Sequence, residues 1–231
     1  MGCRHVNEKM KRLPLLVLLL WSSVALAGDP FEKWNRKVQR FNDVADEKIV
    51  QPIARGYQKI PAQLRYRAGH VYGNLADVGD MVNNLLQGKP GDSINDLFRV
   101  AINTTIGLGG LFDPASRLGL TDHEEDFSQT LATWRVPRGP YLVLPVLGPS
   151  SVRDALARSG NTRLDPLTYL SPVSHRNSIY VMRLLHERAE LLGAERAVFG
   201  DRYIFFREAY QQRREYLEND GEIEDPFGDD F

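Results

Sequence analysis

The sequence predicts a mainly α-helical protein, and three observations support this prediction. Apolar residues recur every three or four positions in several separate segments, as on one face of a helix. No segment alternates between polar and apolar residues as a half-buried strand would, and no repeat of 20–50 residues is present. Glycine and proline clusters separate the helical segments. The length suits one domain, or at most two small ones.

The N-terminal segment has the three parts of a secretory signal peptide. Basic residues at Lys9, Lys11 and Arg12 precede an apolar run over 13–21, and Ala25-Leu26-Ala27 supplies a cleavage pattern. The apolar run is shorter than the roughly 20 residues that span a bilayer. We therefore expect residues 1–27 to be removed on export, with translation starting at Met1 or Met10. An uncleaved anchor helix is the alternative interpretation.

Charge is distributed unevenly along the chain. The whole sequence has a formal net charge of −1, but the segment 218–231 carries seven acidic and no basic residues. This acidic tail is predicted to be solvated and disordered, serving either solubility or docking. The body, 28–217, is therefore mildly basic, which suits anionic head groups and is too weak a charge to indicate a nucleic-acid partner. Cys3 is the single cysteine and precedes the mature chain, so no disulfide is expected.

The first helix is predicted from an apolar stripe that follows Asp29-Pro30, a cap and a first-turn proline. The stripe consists of Phe31, Trp34, Val38, Phe41 and Ala45. The opposite face is basic, so the helix is either an interfacial membrane helix or an ordinary surface helix packed on a core.

The next segments predict two further helices. Pro52 and Pro61 are expected to bracket a short connection. A second stripe then leads to a stop at 88–91, and a third helix is expected to begin with a cap at Asp92 or Ser93. The second stripe comprises Val71, Leu75, Val78, Val82 and Leu85, and the third helix contains Ile94, Leu97, Phe98 and Ala101.

Two apolar segments do not resemble ordinary helix or loop. The stretch 103–116 is rich in glycine, which indicates either a close approach of backbones or contact with lipid. The stretch 139–149 is apolar but broken by three prolines, so we expect an irregular loop that is buried or exposed to acyl chains. Between them a helix is predicted from about Asp122, and two more are predicted over 178–192 and 201–217.

No arrangement of residues indicates an enzyme. The mature chain has histidines at positions 70, 123, 175 and 186, and no two are three or four residues apart, as a helical zinc pair would require. The cluster at His123 with three following acidic residues would diverge around a helix. No nucleophile elbow or phosphate-binding P-loop is present. No catalytic residue, metal or cofactor is predicted.

Several segments together resemble the MlaA family, also called VacJ. The most specific is 103–113, NTTIGLGGLFD. The other matching segments are 29–36, 41–42, 83–88, 127–134, 139–145, 148–150, 153–154 and 207–210. The resemblance covers nearly all of the mature chain, in order.

The resemblance implies both a fold and a function. Members of this family form a ring of amphipathic helices around a polar channel, in the inner leaflet of the bacterial outer membrane. They work with trimeric porins and pass misplaced phospholipids to the periplasmic lipid shuttle MlaC, which maintains lipid asymmetry. We therefore expect a phospholipid-transport component on the periplasmic side of the outer membrane. The alternative is a soluble periplasmic interaction protein of the same fold.

The sequence departs from the family pattern at three places. Family members typically have a lipobox cysteine at the cleavage site, where Ala27 and Gly28 stand here. We therefore expect signal peptidase I cleavage and no lipidation. Ser128 and Arg135 replace family glycines, which puts the local backbone near them in doubt.

Eight residues in the matching segments are predicted to face lipid or shape the channel. They are Phe41, Asn42, Ile106, Leu108, Phe112, Leu142, Val143 and Leu144.

Overall fold

The structure is a computed structural model that describes residues 29–193, 198 and 200–222. The predicted signal peptide and residues 223–231 of the acidic tail lie outside the described residues. The helices are α1 (Glu32–Ala45), α2 (Gln51–Tyr57), α3 (Ala62–Gln87), α4 (Pro90–Thr105), α5 (Pro114–Arg117), α6 (Phe127–Thr133), α7 (Val152–Leu164), α8 (Val173–Leu191) and α9 (Arg202–Glu218). The strands are β1 (Tyr141–Leu144) and β2 (Gly148–Ser151). The prediction of a mainly α fold is confirmed.

The first helix continues where a connection was predicted. A π-helical turn, Asp46–Val50, joins α1 directly to α2, and Pro52 lies in the first turn of α2. Proline has no backbone N–H to donate. The wider π-helical turn before Pro52 accommodates this missing hydrogen bond, so the helix continues. The prediction that Pro52 interrupts the helix was therefore wrong.

Helices α3 and α4 form an antiparallel pair. Gly88 ends α3 in the left-handed conformation, with φ of 81°. Helix α4 begins at Pro90 after Lys89, rather than at the predicted cap Asp92 or Ser93. The ring of Pro90 already has the helical φ, so the helix starts at the proline itself.

The segment before α6 is not helical, which corrects the predicted start near Asp122. Helix α6 begins at Phe127, and Asp126 caps it by accepting the backbone N–H of Gln129 at 2.8 Å. Bonds to other helices hold the preceding residues in a non-helical conformation. The backbone N–H of Glu125, for example, donates to Asp80 on α3 at 3.0 Å.

The proline-broken segment forms a β-hairpin instead of the irregular loop that was predicted. Strands β1 and β2 are antiparallel, with Tyr141 opposite Ser151 and Leu144 opposite Gly148. Pro140 precedes β1 and Pro145 follows it, and Pro149 lies in the second strand of a two-stranded sheet. Prolines are tolerated at such ends and edges because no neighbouring strand needs their missing N–H.

The elements close into a ring, as the resemblance implied. The ring runs from α1 to β1, through the hairpin to β2, and from β2 to α9, α6 and α3, with each element packed on the next. It continues from α3 to α8 and from α8 to α2, and α2 is continuous with α1. Helix α4 lies along α3, and α7 packs on α6. The order of contacts around this ring differs from the order along the chain, so distant segments meet.

The C-terminal end of α9 belongs to the folded domain. Glu218, which the sequence analysis assigned to the acidic tail, forms ion pairs with Arg138, at 2.8 Å, and with Arg153. Two guanidinium groups thus hold the first residue of the acidic segment in place.

Candidate functional site

The helices α3 and α4 bury polar side chains and leave their apolar residues half-buried or exposed. The buried residues of α3 are all polar: Asn74, Asp77, Asp80, Asn83 and Asn84. Those of α4 are Ser93, Asp96, Arg99 and Asn103. The predicted apolar residues of α4 all lie on the exposed face. A helix of a water-soluble domain normally has the opposite arrangement.

Large apolar side chains are exposed around the ring. Phe31, which precedes α1, and Trp34 and Phe41 on α1 are exposed. Ile49 and Ile53 extend this surface along the continuing helix. Others on α4 and the glycine segment are Ile94, Leu97, Phe98, Ile106, Leu108, Leu111 and Phe112. An apolar surface of this extent indicates contact with a membrane or a partner protein. The exposed aromatics favour the interfacial interpretation of the first helix.

Arg99 is the centre of the buried polar interior. It is only 3% exposed, and its Nε lies 3.4 Å from Asp77 Oδ2 on α3. Its Nη1 donates to Ser116 Oγ at 3.1 Å and to the Leu120 carbonyl at 3.2 Å. Its Nη2 lies 3.4 Å from Asp122. A single guanidinium group thus joins α3, α4, α5 and the segment that follows.

Burial strongly raises the pKa of two interior carboxyl groups. Removal from water raises the pKa of Asp77 to about 7, although Arg99 opposes this shift. Burial raises the pKa of Asp80 to about 9, against the lowering effect of its hydrogen bond from the Glu125 backbone. An unfolded aspartate releases its proton near pH 3.9. The folded chain therefore holds more protons between these values, so both groups destabilise the fold increasingly as pH rises through that window.

A second polar cluster joins α6, α7 and α9. Arg214 donates to both oxygens of Asp126, at 2.7 and 3.2 Å, and its Nε lies 3.5 Å from Asp154. Hydrogen bonds from Ser128 and Tyr210 also reach Asp154, and they lower its pKa against the effect of burial. Because both guanidinium and carboxylate groups are paired, charge is retained inside the ring.

Two asparagines of α1 hold the hairpin by its free edge. The side chain of Asn35 donates to the Tyr141 carbonyl at 3.1 Å and accepts the Val143 backbone N–H at 2.8 Å. Asn42, two turns later, donates to the Leu144 carbonyl at 2.9 Å and accepts the Val146 N–H at 2.7 Å. The two amides thus replace a neighbouring strand. Asn42 was predicted to face lipid or shape the channel; its amide binds the backbone of the hairpin, and its role in a channel stays a prediction.

The glycine segment shows the close approach of backbones that one of the two interpretations expected, and contact with lipid stays a prediction. A Cβ on Gly107 would lie 2.4 Å from the backbone oxygens of Asn103 and Phe112, so only glycine fits there. Ile106 and Leu108 beside it are 68% and 63% exposed. The glycines allow a tight turn, and this turn presents apolar side chains outward.

The remaining predicted site residues differ in how far they are exposed. Phe41 is exposed on α1, and Phe112 is exposed beside Arg67, whose guanidinium lies 4.8 Å from its ring centroid. Leu142 and Leu144 are half-buried on β1. Val143 is 2% exposed and packs in the core with Val38, Tyr141 and Tyr203, so it has no direct access to lipid.

An open cavity lies beside the glycine segment. Its volume is about 550 Å³, and it is bounded by the N-terminal part of α3, the glycine segment and α5. Its lining includes Arg67, His70 and Arg117 as well as Ile106 and Phe112. The cavity thus offers cationic and apolar groups side by side.

The sequence analysis did not identify the interior residues, although a signal was present. Polar residues recur at helical spacing on α3 at Asn74, Asp77, Asp80 and Asn84, and on α4 at 93, 96, 99 and 103. The predictions for these helices rest on their apolar stripes alone. Arg67 and Arg117 gave no signal of their own, because the fold brings together residues that are 50 positions apart.

The described part of the chain has neither a metal site nor a membrane span. Among these residues no group of three or more histidine, cysteine, aspartate or glutamate side chains could hold a metal ion. None of these helices combines the length and apolarity needed to cross a membrane.

Buried polar groups and exposed apolar side chains on a ring of helices define a helical protein whose outer surface suits contact with a membrane or a partner protein. Comparison with known proteins then identifies the family. The family profile described as MlaA lipoprotein matches residues 27–217, and the chain belongs to this family.

Relatives and a solved structure agree with this assignment. The intermembrane phospholipid transport system lipoprotein MlaA of Escherichia coli (strain K12) is 33% identical over 205 residues, which cover 85% of this chain and 80% of that protein. An uncharacterized protein of Rickettsia bellii is 35% identical, covering 81% of this chain and 75% of the relative. A structure solved in work on the structural basis for maintenance of bacterial outer membrane lipid asymmetry matches with a TM-score of 0.74 and 32% identity. It covers 84% of this chain and 100% of its own.

Proposed function

We propose that this protein is an outer-membrane component of intermembrane phospholipid transport that removes mislocalised phospholipids and so maintains lipid asymmetry. The names of its relatives and of the matching structure support this function. One observation carries it at the level of residues: the buried side chains of α3 and α4 are all polar, and the apolar stripe of α4 is exposed. This arrangement suits a ring whose outside contacts acyl chains and whose inside accepts charged head groups.

Transport of this kind needs no covalent chemistry. A phospholipid leaving a leaflet requires a polar path for its head group while its tails remain in an apolar phase. The buried ion pairs of Arg99 and Arg214 hold the helices around this proposed path in place. The exposed apolar residues of the glycine segment provide a surface on which tails can remain.

The proposed attachment is to the periplasmic leaflet of the outer membrane. The apolar faces of α1 and α4 lie in the acyl region, and the basic residues of α1 lie near anionic head groups. A trimeric porin is the proposed partner in the membrane. The periplasmic shuttle MlaC is the proposed acceptor of the lipid.

The first test is purification from the native outer membrane in mild detergent, followed by mass spectrometry of everything that copurifies. The proposal expects phospholipid and a trimeric porin, and the intact mass of the protein tests the expected cleavage after Ala27. Release of a lipid-free protein without detergent would contradict the proposal. It would support a soluble periplasmic interaction protein instead.

A second test uses charge on the exposed apolar surface. Leu108→Asp and Leu142→Asp should impair lipid asymmetry in cells at normal protein levels, since each places a carboxylate where acyl chains are proposed to pass. Leu108→Met and Leu142→Met are the matched controls, because they keep an apolar side chain of similar size at each position. Intact asymmetry in both test variants would refute the proposed lipid path.

A further inference from the structure

The cavity beside the glycine segment contains an unusual combination of side chains. Arg67 and Arg117 supply guanidinium groups, and His70 supplies an imidazole. The apolar part of the lining consists of Tyr66, Ile106, Leu111, Phe112 and Pro114. A site for a wholly apolar ligand would have no use for two arginines, since their burial under such a ligand costs free energy.

The two arginines have donor groups available. Arg67 stacks on Phe112, with 4.8 Å between the guanidinium carbon and the ring centroid. Stacking fixes the guanidinium plane and leaves the N–H groups at its edge free to donate. Across the ranges that the structure describes, neither Arg67 nor Arg117 has a carboxylate at ion-pair distance.

The acidic residue in the lining is already occupied. Asp113 accepts the backbone N–H of Ser116 at 3.0 Å and also the hydroxyl of that residue. Its Oδ2 lies 3.9 Å from Arg99, and these interactions lower its pKa despite partial burial. Asp113 is therefore not available to neutralise Arg67 or Arg117, and the cavity retains an excess of positive charge.

The cavity lies between the two environments of the protein. On the outside its rim carries Ile106 and Phe112, which are exposed among the apolar residues of the glycine segment. On the inside its wall residue Ser116 accepts a hydrogen bond from Arg99 at 3.1 Å. A ligand in the cavity would thus touch the apolar exterior and the polar interior together.

We propose that this cavity binds the phosphodiester group of a glycerophospholipid, with Arg67 and Arg117 as its charge partners. Guanidinium groups donate paired hydrogen bonds that match the oxygens of a phosphate. The acyl chains of the bound lipid lie outward along Ile106 and Phe112. The inference rests on the proposed function and specifies where a lipid head group first leaves the membrane.

The test measures lipid binding to the full mature chain in a neutral detergent by native mass spectrometry. The probes are dioctanoyl phosphatidylglycerol, dioctanoylglycerol without the phosphate, and inorganic phosphate alone. The test variant is the double substitution Arg67→Gln and Arg117→Gln. The control variant, Arg135→Gln and Arg163→Gln, removes the same charge from exposed positions outside the cavity.

The expected result is a loss of at least about tenfold in affinity for phosphatidylglycerol, or about 1.4 kcal/mol, in the test variant alone. Binding of dioctanoylglycerol should be weak and equal in all variants. Equal phosphatidylglycerol binding by the test and control variants would overturn the site. Inorganic phosphate binding as tightly as the lipid would also overturn it, in favour of a simple anion site. If the unmodified chain binds no phospholipid at all, the proposed function fails together with the site.

Discussion

The hydrogen bonds from Asn35 and Asn42 to the hairpin give a quantitative prediction about stability. Asn35 is fully buried, and its amide is the partner of the Tyr141 carbonyl and the Val143 N–H. The substitution Asn35→Ala removes both bonds in a place that water does not reach. Each buried backbone group left unsatisfied costs about 1–3 kcal/mol. We therefore expect a loss of about 2–6 kcal/mol in the free energy of unfolding.

A matched substitution separates this cost from general damage to α1. Asn42→Ala removes two similar bonds near the end of the hairpin, but one of them, to the Val146 N–H, is exposed. Water can replace a partner there, so the expected loss is only about 1 kcal/mol. Lys37→Ala, on the exposed side of the same helix, should change stability by less than about 0.5 kcal/mol.

The assay combines urea unfolding in one fixed detergent with hydrogen exchange at individual amides. In the Asn35 variant the Val143 amide should exchange faster, because it has lost its acceptor. In the Asn42 variant the Val143 amide should keep its protection. Unchanged protection of Val143 after Asn35→Ala, or equal costs for the two asparagine variants, would refute this reasoning.

Three further predictions concern packing and buried charge. Gly107→Ala should lower the free energy of unfolding by about 3 kcal/mol, since its Cβ would lie 2.4 Å from backbone oxygens. Gly73→Ala, which has open space on α3, should raise it by about 0.5–1 kcal/mol. Thermal unfolding of the two variants measures both changes. Arg99→Leu should cost about 3–5 kcal/mol above pH 7, where an ionised Asp77 is left unpaired, and adding Asp77→Asn should recover part of this loss in urea unfolding. Asp80→Asn keeps an acceptor but removes a group with a pKa of about 9, so it should stabilise the fold at pH 9 more than at pH 5. Equal stabilisation at both pH values would contradict the assigned cause.

The helices were predictable from the sequence, but their orientation was not. The stripe at Ile94, Leu97 and Phe98 correctly predicted a helix in α4. A polar stripe through Asp96 and Arg99 has the same spacing on the opposite face, so periodicity alone does not show which face is inside. That choice depends on whether the surroundings are water or lipid, and local sequence does not record it.

The hairpin and the segment before α6 were mispredicted for a different reason. The free edge of β1 is satisfied by Asn35 and Asn42, about 100 positions earlier in the chain. Similarly, Asp80 holds the backbone of Glu125 away from helical geometry. Both conformations depend on tertiary hydrogen bonds, which local propensity does not contain. The close approach of backbones at Gly107, by comparison, was one of the two predicted interpretations, because a cluster of glycines is typical of places where a Cβ does not fit.

The polar interior of the ring has a consequence for how this chain becomes native. In water, folding α3 and α4 hides polar groups and leaves leucine and phenylalanine exposed, so the hydrophobic effect provides little of its usual driving force. At the proposed position in the membrane, that contribution arises when the apolar exterior is transferred into lipid. The proposal therefore expects the free energy of unfolding to depend on the detergent or lipid around the protein, so it is a property of the protein and its lipid together.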